Sequence, residues 1–143
     1  MNILYESQIE IKIGSFAIDW NLNQATIQSL LKGEFESSED EFTNTKQDVF
    51  HSVNGNKCML IFNYLPNNQL SEIIIHYGVD LEIGDEKFNF NIELNDLLAK
   101  TSFEYDYFGD DEIYFHELNL SITNDLFMGG EGNKIGSITI KRN

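Results

Sequence analysis

The residues of this chain that could do chemistry are three histidines, one cysteine and a surplus of carboxylates. His51, His76 and His116 each stand alone in strand-like contexts. None has the H-E-x-x-H spacing that places two imidazoles on one helix face to share a metal. Cys58 lies in the apolar run Cys58-Met59-Leu60-Ile61-Phe62. A nucleophilic thiolate needs a base beside it, so this thiol reads instead as a small buried hydrophobe. Being the only cysteine, it also excludes an intramolecular disulfide and the cysteine-rich zinc sites.

Two further stretches invite a ligand. Gly129-Gly130-Glu131-Gly132-Asn133 has the glycines of a phosphate loop, but a strand-like segment follows where the helix N-terminus should face the anion. It reads as a flexible hairpin loop. Asp106, Asp110, Asp111 and Glu112 offer hard oxygen atoms, yet the D-x-D-x-D-G alternation of a calcium loop is absent, so solvated carboxylates are expected. No catalytic, cofactor-binding or metal-ligating residue is assigned, and the chain is not expected to be an enzyme.

What remains is a surface rather than a reaction centre. Residues 102–115, SFEYDYFGDDEIYF, hold five acidic residues among Phe and Tyr side chains and no basic one. Rings supply contact area that desolvates readily, and acids steer a basic partner. Alternation in Phe103-Glu104-Tyr105-Asp106-Tyr107 sets three rings on one face and two acids on the other. Gly109-Asp110-Asp111 then signals a turn, and a strand should start near Ile113. A second acidic segment, residues 34–42, carries Phe35 and Phe42. The candidate partner-binding residues are therefore Glu34, Glu36, Glu39, Asp40, Glu41, Glu104, Asp106, Tyr107, Phe108, Asp110, Asp111 and Glu112. If the two segments lie on related sides, they form one extended negative surface.

The bulk numbers agree with a binding role. The 143 residues suit a single domain, 1–143, large enough to bury a core. With 24 Asp and Glu against 9 Lys and Arg, the net charge is −15. That charge disfavours nucleic-acid phosphates and anionic lipid and favours a basic partner. No apolar run approaches the roughly 20 residues that span a bilayer. No basic stretch leads into an apolar one near the N-terminus, so a cytoplasmic location is expected.

The elements that must carry this surface recur. Ile9-Glu10-Ile11-Lys12-Ile13-Gly14 and Val79-Asp80-Leu81-Glu82-Ile83-Gly84 alternate into glycines 70 positions apart, with Ile18/Phe88 and Trp20/Phe90 keeping that offset. Each reads as a half-buried hairpin. A short helix follows each: Asn23 caps one that buries Ile27, Leu30 and Leu31 before Gly33, and Asn91 caps one that buries Leu94, Leu97 and Leu98. After each acidic segment come strands, with Val49-Phe50-His51 and residues 70–75 matching Tyr114-Phe115-His116 and residues 135–140 at an offset of 65. The expected architecture is α+β, antiparallel and β-rich, in two pseudo-repeated ββαβββ units spanning about 9–77 and 79–141.

In size, charge, the recurring Ile-x-Ile-Gly/helix/strand units and the acidic aromatic segments, the chain resembles small acidic bacterial immunity proteins. That resemblance implies tight, non-enzymatic inhibition of a cognate toxin with a basic surface, such as a nuclease, and no cofactor. The alternative is a ligand-binding or accessory module with an aromatic pocket between the repeats, lined by Trp20, Phe88 and Phe90.

Overall fold

A computed structural model describes residues 11–13, 16–17 and 19–142. Ile9, Glu10, Gly14 and Ile18 lie outside the described residues. Two antiparallel sheets and two helices make an α+β fold. A small sheet combines β1 (Ile11–Ile13), β2 (Phe16–Ala17), β7 (Leu81–Ile83) and β8 (Glu86–Phe88) in the order β2-β1-β7-β8. The large sheet has eight strands. Its first four are β3 (Phe35–Glu39), β4 (Lys46–Val53), β5 (Asn56–Tyr64) and β6 (Leu70–Tyr77). Its last four are β9 (Asp106–Phe108), β10 (Glu112–Phe115), β11 (Leu120–Asn124) and β12 (Ile135–Lys141). They lie in the order β3-β4-β5-β6-β12-β11-β10-β9.

Two strands matched in the sequence, β6 and β12, are thus the central neighbours, with Ile73 opposite Ile140 and Ile75 opposite Ile138. Both acidic segments contribute a strand, β3 and β9, where the expected ββαβββ plan left them as connections. Alternation explains the strands. Along β5, Cys58, Leu60, Phe62 and Tyr64 are buried while Met59, Ile61 and Asn63 face the other way. Asn54 and Gly55, both at positive φ (51° and 81°), make the two-residue turn from β4 to β5, the backbone twist that suits a tight hairpin.

The first helix, α1 (Gln24–Leu31), begins where Asn23 Oδ1 accepts the Thr26 N–H at 2.9 Å. It buries Ile27 and Leu31, whereas Leu30, expected on the same face, is exposed. The 27/30/31 spacing by itself permits one shared face, so it does not explain this exposure. Lys32 takes the left-handed conformation that ends α1. Gly33 then passes so close to β4 that a Cβ would lie 1.7 Å from the Ser52 carbonyl oxygen. The second helix, α2 (Leu94–Lys100), buries Leu94, Leu97 and Leu98. Its N-cap is Glu93, which makes no side-chain capping bond. Asn91 sits earlier, donating its N–H to Asn89 Oδ1 at 2.7 Å in a turn before the helix.

Both helices and the small sheet pack their apolar side chains on one face of the large sheet, in a single buried cluster. The opposite face presents Val49, Ile61, Ile74, Thr139, Ser121 and Tyr114 in one cross-strand row, all partly buried.

Candidate binding surface

Strand order decides where the twelve candidate residues go. Glu36 and Glu39 are on β3, with Glu34 before it and Asp40 and Glu41 in the turn after it. Asp106, Tyr107 and Phe108 are β9 itself, Glu104 precedes it, Asp110 and Asp111 turn the chain, and Glu112 opens β10. All are exposed except Glu112, which is half-buried. The strands β3 and β9 are the two outer edges of the large sheet. Seven strand spacings separate them, about 34 Å along the sheet. The acids therefore form two patches on opposite edges, not one extended surface. Each segment ends up outermost because charged side chains on a short edge strand discourage further pairing.

The rings divide, but Tyr107 does not stay with Phe103 and Tyr105 as the alternation expected. Phe103 and Tyr105 pack against the core from partly buried positions, and Tyr105 meets Phe115 at 5.8 Å between centroids. Tyr107 and Phe108 are 63% and 50% exposed. On the other edge Phe35 stacks on buried Phe50 at 4.9 Å, and Phe42 is 88% exposed.

Two histidines are not alone. His51 Nε2 lies 3.8 Å from Glu36 Oε2, and His116 Nε2 contacts Asp106 Oδ2. Each pair links an edge strand to its inner neighbour or to the turn leaving it. The sequence hides this because each partner acid is ten or more residues away. His116 also lies edge-on to Tyr114, whose hydroxyl donates to Asn119 Oδ1 at 2.6 Å. No group of three or more His, Cys, Asp or Glu side chains is arranged to hold a metal among the described residues. Burial raises the pKa of Cys58, whose Sγ lies 3.8 Å from the Phe50 carbonyl oxygen, which leaves the thiol unreactive.

Two carboxylates are held by the backbone. Asp40 accepts the N–H groups of Phe42 and Thr43 at 2.8 and 3.0 Å, and bonds from Thr43 and Phe42 hold its pKa below the usual carboxylate range. Burial pushes Glu86 upward, but hydrogen bonds from Ser102 and Thr101 outweigh it and leave the group lowered. Asp40 thus spends one oxygen on its own turn.

The sequence reading missed Asp48. It is fully buried, and its carboxylate accepts Gln24 Nε2 at 3.0 Å, Gln28 Nε2 at 2.9 Å and Ser37 Oγ at 2.6 Å. The Tyr64 hydroxyl is buried beside it, out of good hydrogen-bond geometry. Burial first, and then the Asp48 charge, raise the Tyr64 pKa, so the phenol stays protonated. A usable signal existed: Asp48 is two residues from Phe50 and so shares its inward face. Asp48 itself is buried, and its three donors join α1 and β3 to β4.

Among the described residues, Trp20, Phe88 and Phe90 line none of the described cavities. Phe88 is fully buried and meets Phe115 edge-on at 5.6 Å, while Trp20 and Phe90 pack against the same core. Those cavities, of about 510, 320, 240 and 200 Å³, are lined by other residues. The largest is polar and includes Ser38, Lys46, Gln47 and Asn63. No helix is long and apolar enough to cross a membrane among the described residues. No known family matches this chain, no curated protein is significantly similar to it, and no solved structure matches its fold.

Proposed function

We propose that this chain is a binding module without catalysis of its own. The observation that carries the reading is the exposure of acids and rings together on both outer edges of the large sheet. Exposed rings gain most when a partner covers them, and the carboxylates around them favour a basic partner. In its narrower form the module is a cytoplasmic immunity protein that inhibits a cognate basic toxin, a form supported by the charge of −15. The test is survival of cells that express the chain together with a toxic product of the neighbouring reading frame. Rescue accompanied by a purified complex supports the immunity form. Absence of both at low salt sinks it. Reversing Asp110, Asp111 and Glu112 to Lys should slow association and flatten its salt dependence.

A second reading, an accessory module for a small ligand, draws support from the 510 Å³ cavity lined by Ser38, Lys46, Gln47 and Asn63. Its volume falls within the usual range for small-molecule sites, and its hydroxyl and amide groups suit a polar ligand. A thermal-shift screen with polar metabolites tests it; a hit lost in Asn63→Leu but kept in Phe42→Ser would favour this reading.

We also infer that the fold is two copies of a ββαββββ unit, one strand longer than the ββαβββ plan. Support comes from strand orders that read alike from both ends, β1 beside β7 and β6 beside β12. The start of each helix repeats too: Gln24 N–H donates to the Asn68 carbonyl and Leu94 N–H to the Asn133 carbonyl.

A further inference from the structure

One corner of the large sheet joins two connections that are far apart in sequence. Asn124, at the end of β11, donates its side-chain Nδ2 to the Asp110 carbonyl at 3.1 Å and its N–H to the Asp111 carbonyl at 2.8 Å. Its Oδ1 accepts the Leu126 N–H at 3.1 Å. The β9–β10 turn is thereby fastened to the β11–β12 connection. That connection then exposes three consecutive large apolar side chains, Leu126, Phe127 and Met128, at 48%, 56% and 58%. Phe108, 50% exposed, stands on the strand entering the fastened turn.

The apolar tip is held, not loose. The segment expected from sequence as a flexible loop, 129–133, follows a 3₁₀ turn, Asp125–Met128. Asp125 Oδ1 accepts the Gly132 N–H at 2.7 Å, and Gly129 and Gly132 take φ of 87° and 85°, values that side-chain-bearing residues rarely adopt. A Cβ on Gly130 would lie 2.4 Å from the Asp125 carboxyl carbon. Three glycines thus serve one conformation, and what it displays is three hydrophobes, each about half exposed. Between β5 and β6 the corresponding connection is the short stretch 65–69, with no comparable run.

We propose that this corner docks a protein segment presenting an apolar side chain flanked by Lys or Arg. The tip, already ordered, gains by desolvation with little further entropy loss. Asp110 and Asp111, exposed at its margin, set the sign of the partner's charge. A second copy of this chain would bring the same carboxylates against themselves, and an anionic membrane would be repelled. The inference rests on the binding-module reading and names the surface it uses.

The test is amide NMR mapping with two synthetic peptides, one alternating Lys with Leu and one alternating Lys with Ser. The expected result is that the Lys/Leu peptide shifts residues 107–112 and 124–133 and binds about 10-fold tighter than Lys/Ser, a margin of about 1.4 kcal/mol. The double variant Phe127→Ser, Met128→Ser should remove that margin with the rest of the spectrum intact. Phe42→Ser on the opposite edge should leave it unchanged. Shifts centred on 34–42, or a margin that survives the double variant, would overturn the inference while leaving the binding-module reading standing. Binding of neither peptide at low salt would overturn both. Concentration-dependent shifts of 124–133 without peptide would assign the corner to a second copy and overturn the proposed partner.

Discussion

The two halves of the large sheet solve the same packing problem with different chemistry. In the first half, Asp48 on β4 faces inward opposite Ser37 on β3, under Gln24 and Gln28 of α1. In the second, Ile113 on β10 faces inward opposite Tyr107 on β9, with Leu94 and Leu98 of α2 buried in the same core cluster. A polar centre stands on one side and an apolar one on the other, in a matching strand order. Apolar packing tolerates small shifts, whereas hydrogen bonds fix donor and acceptor positions. The first half therefore holds its helix and edge strand in one register; the second relies on volume.

The largest effect expected from breaking this contrast is in Ile113→Asp. It buries a carboxylate where no donors converge, which should cost about 4 kcal/mol or more, read as a lowered urea midpoint or loss of folding. Asp48→Ala should cost about 2–3 kcal/mol, because three donors lose their acceptor. Replacing the whole centre at once, with Gln24→Leu, Gln28→Leu and Asp48→Ile, should recover most of that loss. The triple variant remaining as unstable as Asp48→Ala would show that the halves are not interchangeable.

A smaller effect, in acid, is common to both halves. Asp40 and Glu86 both have pKa values lowered in the folded state. Each therefore contributes stability that is present above its unfolded pKa, about 4, and lost as pH falls through the lower folded value. Asp40→Asn and Glu86→Gln should each flatten the acid limb of stability against pH and leave the pH dependence near neutrality unchanged. An unchanged acid limb in both variants would remove these two groups from the account. The smallest effect belongs to the exposed pairs His51–Glu36 and His116–Asp106. His51→Gln and His116→Gln should each cost about 0.5 kcal/mol or less by urea unfolding, since both pairs face solvent.

The core was the most legible part of the sequence. Alternation placed Phe50, Phe115, Ile73, Ile75, Ile138 and Ile140, all fully buried, on matched strands. The acidic segments were legible as surface, but Phe35–Glu39 carries no apolar alternation, so its pairing with β4 could not be read. Edge strands draw half their stability from a neighbour, and that neighbour is not written in the strand itself. The exposure of Leu126, Phe127 and Met128 is not legible in composition, since it depends on the three-glycine turn that follows them.

Sequence alone determined the two helices, most strands, the inward faces and the net charge, because periodicity and composition act locally. Tertiary structure alone decided that β6 meets β12, that the two acidic segments part to opposite edges, and that Asn124 brings Asp110 beside Leu126. Those outcomes depend on which strands close against each other across distant stretches of chain, a choice made by the burial of the whole core rather than by any one segment.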